Sequence, residues 1–172
     1  SYLLYKLNEE YAEHYNLEYE DTIIWRKSGS TSQRAGTFVA SGNPLKYRPE
    51  EVTERILVFR KGDLDYRRVW KEKRNSDIYS DIDMPDYDAF EDWASLDVES
   101  MRPFIQNVWD IQPETQSDHP APFPPKLAQV AIKLYSLPRE IVGDPFLDSA
   151  TTIERAQALE RKGVGYENMD AE

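Results

Sequence analysis

Apolar residues recur at two different spacings in the first sixty positions of the chain. In residues 2–15 they fall near every third or fourth position, which predicts an amphipathic helix. Residues 17–27 contain the β-branched and aromatic run at 22–25, and residues 55–60 form an apolar run between two arginines. Both patterns predict strands. The Ser- and Gly-rich stretch 28–44 between them predicts a loop.

The periodicity weakens over residues 63–118, where we expect irregular structure with short helices at 87–93 and 98–107. It returns in the last third of the chain. Leu127, Val130, Ala131 and Leu134 share one face of a predicted helix over 126–135. A strand at 140–146, a helix at 151–161 and a strand at 163–167 complete a helix–strand–helix–strand order, which is typical of an α/β protein.

Composition narrows the possible functions. The 172 residues are 40% hydrophobic, enough for one domain with a real core, and no apolar run reaches the ~20 residues of a membrane span. We therefore expect a soluble protein of a prokaryotic cytoplasm or a viral host cytoplasm, with no membrane partner. The chain has no cysteine and only two distant histidines, His14 and His119, so no metal site is expected.

Charge is unevenly distributed. The net charge of −11 argues against a nucleic-acid partner, yet residues 26–74 hold 13 Lys and Arg against 6 Asp and Glu, a local balance of +7. Residues 66–70 interleave aromatic and basic side chains as a nucleic-acid surface would, although Trp70 suits a core equally well. The acidic run 77–99 is interpreted as a solvated face, with DNA mimicry or partner docking as the lesser alternative.

Two acids stand where ligand contacts are expected. The predicted strand 140–146 runs into Asp144-Pro145-Phe146, ahead of a polar loop and a helix. Such a strand–loop–helix junction is where open α/β sheets bind nucleotides. Glu167 ends the next strand about 20 residues later, where a carboxylate can accept hydrogen bonds from both ribose hydroxyls. The pattern indicates a nucleoside-containing cofactor, although Asp144 could alternatively cap the following helix.

Three motifs make this pattern specific. The run His119-Pro-Ala-Pro-Phe-Pro124, then Asp144-Pro-Phe with Ser149 and Thr151-Thr152, then Gly165-Tyr166-Glu167 resemble the consecutive cofactor motifs of the N4-cytosine and N6-adenine DNA methyltransferases. Residues 23–27, 41–44, 56–62 and 107–111 are similar to other segments of the same enzymes. The resemblance covers most of the chain and is weakest between residues 63 and 102.

The resemblance implies S-adenosylmethionine as the cofactor and double-stranded DNA as the substrate. It places Asp144 and Phe146 at the methionine end of the cofactor and Glu167 at the ribose. The full set of expected cofactor contacts is Pro120, Ala121, Pro122, Phe123, Asp144, Pro145, Phe146, Ser149, Thr151 and Glu167. The expected DNA contacts, around the Ser/Gly loop, are Arg26, Lys27, Ser30, Arg34, Lys46 and Arg48.

The sequence departs from the family in two places. The catalytic tetrapeptide, Ser/Asp/Asn-Pro-Pro-Tyr/Phe, which holds a flipped base, is absent, and Met84-Pro85-Asp86-Tyr87 is only a superficial match. No catalytic residue is therefore assigned, and the motif is expected upstream of Ser1 or on a second chain. Asp148 and Ala150 also replace two glycines of the cofactor loop, so cofactor binding needs a direct test.

The predicted fold is a partial Rossmann-like α/β methyltransferase fold, a mixed sheet flanked by helices. Residues 1–62 are expected to form part of the catalytic-side subdomain, 63–118 an irregular insert with a possible target-recognition role, and 119–172 the cofactor-binding segment. The expected function is methyl transfer to an exocyclic amino group of adenine or cytosine. The alternative is a catalytically inactive DNA-binding or protein-interaction module, and methylation of RNA or protein is disfavoured.

Overall fold

A computed structural model describes residues 10, 12–27, 52–62, 65–84, 98–114 and 124–167. The strands are β1 (Glu18–Arg26), β2 (Thr53–Arg60), β3 (Val108–Asp110), β4 (Ile141–Asp144) and β5 (Lys162–Gly165). The α-helices are α1 (Tyr66–Arg74), α2 (Val98–Met101), α3 (Pro125–Tyr135) and α4 (Thr151–Ala158). Two 3₁₀ turns, Asp77–Tyr79 and Arg102–Phe104, follow α1 and α2.

The first sheet has three strands in the order β2-β1-β3, with β1 antiparallel to β2 and parallel to β3. Its core follows from the strand period of two, because Ile23 and Trp25 point to the buried face of β1. The Trp25 indole donates a hydrogen bond of 2.8 Å to the Ile111 carbonyl oxygen, which satisfies its only polar atom inside the core. Trp109 of β3 packs beside them.

The second sheet consists of the parallel pair β4 and β5, which α4 connects. The crossover helix packs closely on the sheet at Gly163, where a Cβ atom would lie 2.5 Å from Ile153 Cγ2. Only glycine gives that clearance. Ala156 of α4 is fully buried against Ala128 and Ile132 of α3.

Helix α3 joins the two sheets. Leu127 and Val130 belong to the core of the first sheet, whereas Ala128 and Ile132 pack on α4 beside the second. Two adjacent apolar faces on one helix explain why its pattern is the clearest in the sequence. The predicted helix 126–135 is thereby confirmed with a start one residue earlier, at a proline suited to the first helical turn.

Residues 65–84 contain a helix that the sequence pattern did not predict. Helix α1 begins after Asp65, whose carboxylate accepts a hydrogen bond of 3.1 Å from the Arg68 amide. Trp70 is only 6% exposed and forms a small core with Tyr79 and Met84, so Trp70 is a core residue and not a nucleic-acid surface. This core packs on Leu137, just before β4.

Strand β3 lies within residues 63–118 and pairs with β1, about 85 residues away along the chain. The predicted helix 98–107 is shorter than expected, because the α-helix ends at Met101 and a 3₁₀ turn containing Pro103 follows it. Helix α1 and strand β3 are thus regular elements that the sequence pattern did not predict, whereas α2 falls within the predicted helix 98–107. The predicted helix 87–93 lies outside the described residues.

The remaining predictions differ from the structure mainly at their ends. The predicted strand 17–27 is confirmed as β1 and the predicted strand 55–60 as β2. Residues 12–15 are helical, and the rest of the predicted helix 2–15 is almost entirely outside the described part. The strand 140–146 is shorter, since the chain turns at Asp144. Helix 151–161 ends three residues early, where Glu160 adopts a positive φ of 63°.

Candidate functional site

The loop between β4 and α4 is held against the end of β5 by backbone hydrogen bonds. The Tyr166 amide donates to the Asp144 carbonyl oxygen at 3.0 Å, and the Leu147 amide donates to the Tyr166 carbonyl oxygen at 2.9 Å. Asp144 is a partly buried residue, and its carboxylate accepts a hydrogen bond of 3.0 Å from the Phe146 amide. This Asx turn fixes the carboxylate at the carboxyl end of its strand.

Asp148 and Ala150 adopt the left-handed backbone conformation that their position requires. Their φ angles are 39° and 58°, in the region that favours glycine. The Ala150 amide donates to the Leu147 carbonyl oxygen at 2.7 Å and closes the turn before α4. The glycine-like course of the loop is thus kept without glycine, at a cost of roughly 1–2 kcal/mol for the alanine.

The loop lines an open cavity of about 380 Å³, a volume within the usual range for small-molecule sites. Four of the predicted cofactor residues line it, namely Asp144, Phe146, Ser149 and Thr151. Phe146 is 85% exposed, so its ring offers an uncovered apolar surface at the cavity wall. Pro145 is exposed and does not line the cavity.

Glu167 contacts the loop that lines this cavity. Its Oε2 atom accepts a hydrogen bond of 2.5 Å from the Asp148 amide, 19 residues earlier. The two acids that the sequence singled out therefore stand at the carboxyl ends of adjacent parallel strands, on either side of one loop. Pro120, Ala121, Pro122 and Phe123 lie outside the described residues.

Further residues shape the site although no contact was predicted for them. Gly143 and Leu147 line the cavity, as does Thr152 of the second motif. Gly165 of β5 is needed for packing, because a Cβ atom there would lie 2.6 Å from Leu147 Cδ1. The alternation of glycine with larger residues in β5 was the available signal, since glycine inside a strand often marks a close approach by another part of the chain.

The expected DNA contacts are only partly described. Arg26 and Asp110 form a two-bonded ion pair between neighbouring strands. The Asp110 carboxylate raises the pKa of the Arg26 guanidinium, and the same bond lowers the pKa of Asp110. Lys27 pairs with Glu54 and lies 5.2 Å from the centre of the Trp25 ring. Ser30, Arg34, Lys46 and Arg48 lie outside the described residues.

The structure also bears on three further points from the sequence: the tetrapeptide match at Met84, the metal site and the membrane span. Met84 is buried in the Trp70 core, which suits its interpretation as part of a chance match and not of a catalytic motif. Within the described ranges no three His, Cys, Asp or Glu side chains cluster as metal ligands. No helix in the same ranges has the length and apolarity needed to cross a membrane.

The second sheet and α4 form a parallel β–α–β unit with an acid after each strand. Helix α3 joins this unit to the mixed first sheet. Together they define an α/β protein of the methyltransferase fold. Solved structures show the same fold. A DNA modification methylase from Thermus thermophilus, crystallised with S-adenosyl-L-methionine, superposes with a TM-score of 0.59 at 20% identity. The match covers 92% of this chain and 51% of that protein. The cytosine-N4-specific PvuII DNA methyltransferase gives 0.58 at 19% identity, with coverages of 97% and 52%.

Sequence comparison assigns the family. The N6/N4 DNA methylase family matches residues 5–171, and the chain belongs to that family. The type II methyltransferase M.MjaI of Methanocaldococcus jannaschii is 29% identical over 153 residues. That match covers 84% of this chain and 43% of the relative, so the chain spans about half the length of the proteins it resembles. The predicted family and fold class are confirmed.

Proposed function

We propose that this chain is the cofactor-binding half of an amino-methylating DNA methyltransferase. In this proposal it binds S-adenosylmethionine for methyl transfer to an exocyclic nitrogen of adenine or cytosine in DNA. The observation that carries the proposal is that one loop joins the two acids: Asp144 lines the cavity at the carboxyl end of β4, and Glu167, after β5, accepts a hydrogen bond from Asp148 of the same loop. The methyl-transfer reaction in this proposal is taken from the family to which the chain belongs.

The side chains around the cavity fit such a cofactor. The Asp144 carboxylate, already oriented by the Phe146 amide, would hold the positively charged methionine end. The exposed ring of Phe146 would lose water when it packs against the ligand. The Glu167 carboxylate would accept hydrogen bonds from the ribose hydroxyls while keeping its bond to the Asp148 amide. When bound, the cofactor supplies a methyl group activated by its positively charged sulfur.

Asp148 is the residue least expected in such a site. It lines the cavity in place of a family glycine, and its carboxylate adds negative charge near the expected cofactor carboxylate. The positive φ of Asp148 is a conformation that glycine adopts readily, which supports an unaltered path of the loop. We therefore propose weakened but retained cofactor binding, with the loss due to charge and not to backbone geometry.

The chemistry on DNA requires residues that this sequence does not contain. No Ser/Asp/Asn-Pro-Pro-Tyr/Phe tetrapeptide occurs in the 172 residues. We propose that a second chain, or a segment outside this sequence, supplies it and with it the base-flipping pocket. Arg26 and Lys27, with the predicted contacts at residues 30, 34, 46 and 48, would contribute phosphate contacts. The expected place of action is the cytoplasm, where the DNA substrate of such an enzyme lies.

A calorimetric titration of the chain with S-adenosylmethionine tests the first step. We expect measurable binding that Asp144→Ala abolishes and that Asp83→Ala, a change at an exposed acid outside the cavity, leaves unchanged. Equal loss in both variants would show a general effect of charge on the chain. No binding to the unaltered chain at millimolar ligand would contradict the proposal for this chain alone.

A further inference from the structure

The described walls of the cavity beside Asp144 carry acids and no basic side chain. Asp144 and Asp148 both line the cavity, and the other lining residues in the described ranges are apolar side chains, a glycine and hydroxyl groups. Glu167 adds a third carboxylate at the loop that forms the wall. The described lining residues therefore contribute negative charge, without a lysine or an arginine among them.

Helix α4 contributes a weaker positive charge to the same wall. The helix begins at Thr151, which also lines the cavity. The N-terminus of an α-helix carries about half of one elementary positive charge. The carboxylates of Asp144 and Asp148 carry two full negative charges and outweigh it. The cavity therefore favours a positively charged ligand over a neutral ligand of the same shape, because the attraction acts only on the charged one.

Hydrogen bonds on both sides of Asp148 hold its backbone at the cavity wall. The Asp148 amide donates to Glu167 Oε2 at 2.5 Å, and the Ala150 amide closes the next turn on the Leu147 carbonyl oxygen at 2.7 Å. These bonds fix the point at which the Asp148 side chain leaves the loop. Its carboxylate therefore acts on the ligand from a defined part of the wall.

Methyl transfer changes the charge of the ligand in this cavity. The reaction breaks the bond between the methyl carbon and the sulfur, and the bonding electron pair stays on the sulfur. The methyl carbon bonds to the amino nitrogen of the base, which then loses a proton. S-adenosylhomocysteine is left behind, a thioether with one positive charge fewer than the sulfonium cofactor and otherwise the same groups. The electrostatic attraction to the cavity is therefore weaker after the reaction than before it.

We infer that Asp148 is a specificity-determining residue that favours the sulfonium cofactor over its demethylated product. This inference rests on the proposed function, because it concerns the same cavity. Cofactor and product share a carboxylate, so its repulsion by Asp148 weakens both ligands alike and cancels in the ratio of their affinities. The attraction to the sulfonium does not cancel. Asp148 thus lowers affinity in general while it promotes the exchange of product for fresh cofactor.

The test measures the dissociation constants of S-adenosylmethionine and S-adenosylhomocysteine by calorimetry and takes the product-to-cofactor ratio. Asp148→Asn should lower this ratio by about three- to fivefold, the effect of two unit charges a few ångströms apart in water-like surroundings. Asp148→Gly should lower it equally, since both variants remove the charge. Added salt should lower the ratio more in the unaltered chain than in Asp148→Asn, because salt screens the attraction.

A control variant and a control ligand separate the local charge from other effects. Asp83→Asn, at an exposed acid outside the cavity, should leave the ratio within about twofold. Sinefungin, in which a carbon bearing an amino group replaces the methylated sulfur, keeps the positive charge without a transferable methyl group. Asp148→Asn should therefore lower the product-to-sinefungin ratio as well.

The inference is overturned, and the proposed function retained, if both ligands bind and neither Asp148 variant changes the ratio. It is also overturned if Asp83→Asn lowers the ratio equally, since the net charge of the chain would then be the cause. A lower ratio in Asp148→Gly alone would assign the effect to the size of the side chain. Failure of the unaltered chain to bind either ligand would contradict the proposed function together with the inference.

Discussion

The amide of Asp148 donates a 2.5 Å hydrogen bond to the carboxylate of Glu167 and joins the loop after β4 to the end of β5. One carboxylate therefore serves both the loop and the expected ligand. We predict that Glu167→Ala weakens S-adenosylmethionine binding by about tenfold or more, because a charge-assisted hydrogen bond contributes roughly 1.5–3 kcal/mol. Glu167→Gln, which keeps an acceptor oxygen, should lose less.

Calorimetry measures both affinities, and hydrogen exchange at Asp148 reports the loop. Glu154→Ala, at an exposed acid of α4, is the control. If Glu167→Ala accelerates exchange at Asp148 while leaving affinity intact, Glu167 only shapes the loop.

The positive φ angles of the cofactor loop predict that a glycine there would stabilise the folded protein. Ala150→Gly should raise the free energy of unfolding by up to about 1 kcal/mol, since relief of the left-handed alanine exceeds the added chain entropy of glycine. Ala158→Gly, the same change at the last residue of the helix that follows, should lower it by up to about 1 kcal/mol, the loss that glycine causes inside a helix. Urea unfolding compares the two, and loss of stability in both variants would show that φ at residue 150 costs nothing.

Asp148→Gly separates charge from backbone in the same loop. We predict that it increases affinity for S-adenosylmethionine, because it removes a negative charge from the cavity and a side chain from a position with φ of 39°. Asp148→Asn is the matched variant, since it removes only the charge and asparagine tolerates this conformation. An unchanged affinity in both would mean that the carboxylate points away from the ligand.

The packing of β5 against the loop predicts a strong effect at Gly165. Gly165→Ala places a Cβ atom 2.6 Å from Leu147 Cδ1 and should destabilise the protein by roughly 1–3 kcal/mol. Gly143→Ala is the control on the neighbouring strand, because its Cβ would meet Val164 at an ordinary 3.8 Å. Thermal unfolding measures both. Similar melting temperatures for the two variants would show that Leu147 moves aside without cost.

Burial gives the Trp70 core a pH dependence. Two effects raise the pKa of Tyr79 from 10.0 to about 12. The larger is burial of the phenol away from water, and the second is the negative charge of Glu140. The stabilising effect of the neutral phenol is therefore fully present below about pH 10 and declines as pH rises through 12. Tyr79→Phe also loses the 2.9 Å hydrogen bond to the Pro138 carbonyl oxygen.

We predict that the variant is less stable at pH 8 and that the difference shrinks between pH 10 and 12. Free energies of unfolding across this range test it, with Tyr166→Phe, at an exposed ring, as the control. A constant difference would contradict the raised pKa.

Much of the cofactor segment could be predicted from sequence because its signals are local. Helix α3, the loop that follows β4 and the acid at Glu167 each depend on a few consecutive residues, and the motif order specified the family that the comparisons then confirmed. The strands β1 and β2 were predictable for the same reason. Their alternating or continuous apolar runs are properties of the segments themselves.

Features that depend on residues far apart in the sequence were decided by the tertiary structure alone. Trp70 became a core residue because Tyr79, Met84 and Leu137 surround it. The pairing of β3 with β1, the ion pair of Arg26 with Asp110 and the clearance at Gly165 depend on which strand edges and side chains meet in three dimensions. A sequence pattern specifies the face that a segment must bury, but non-local packing selects the surface that buries it.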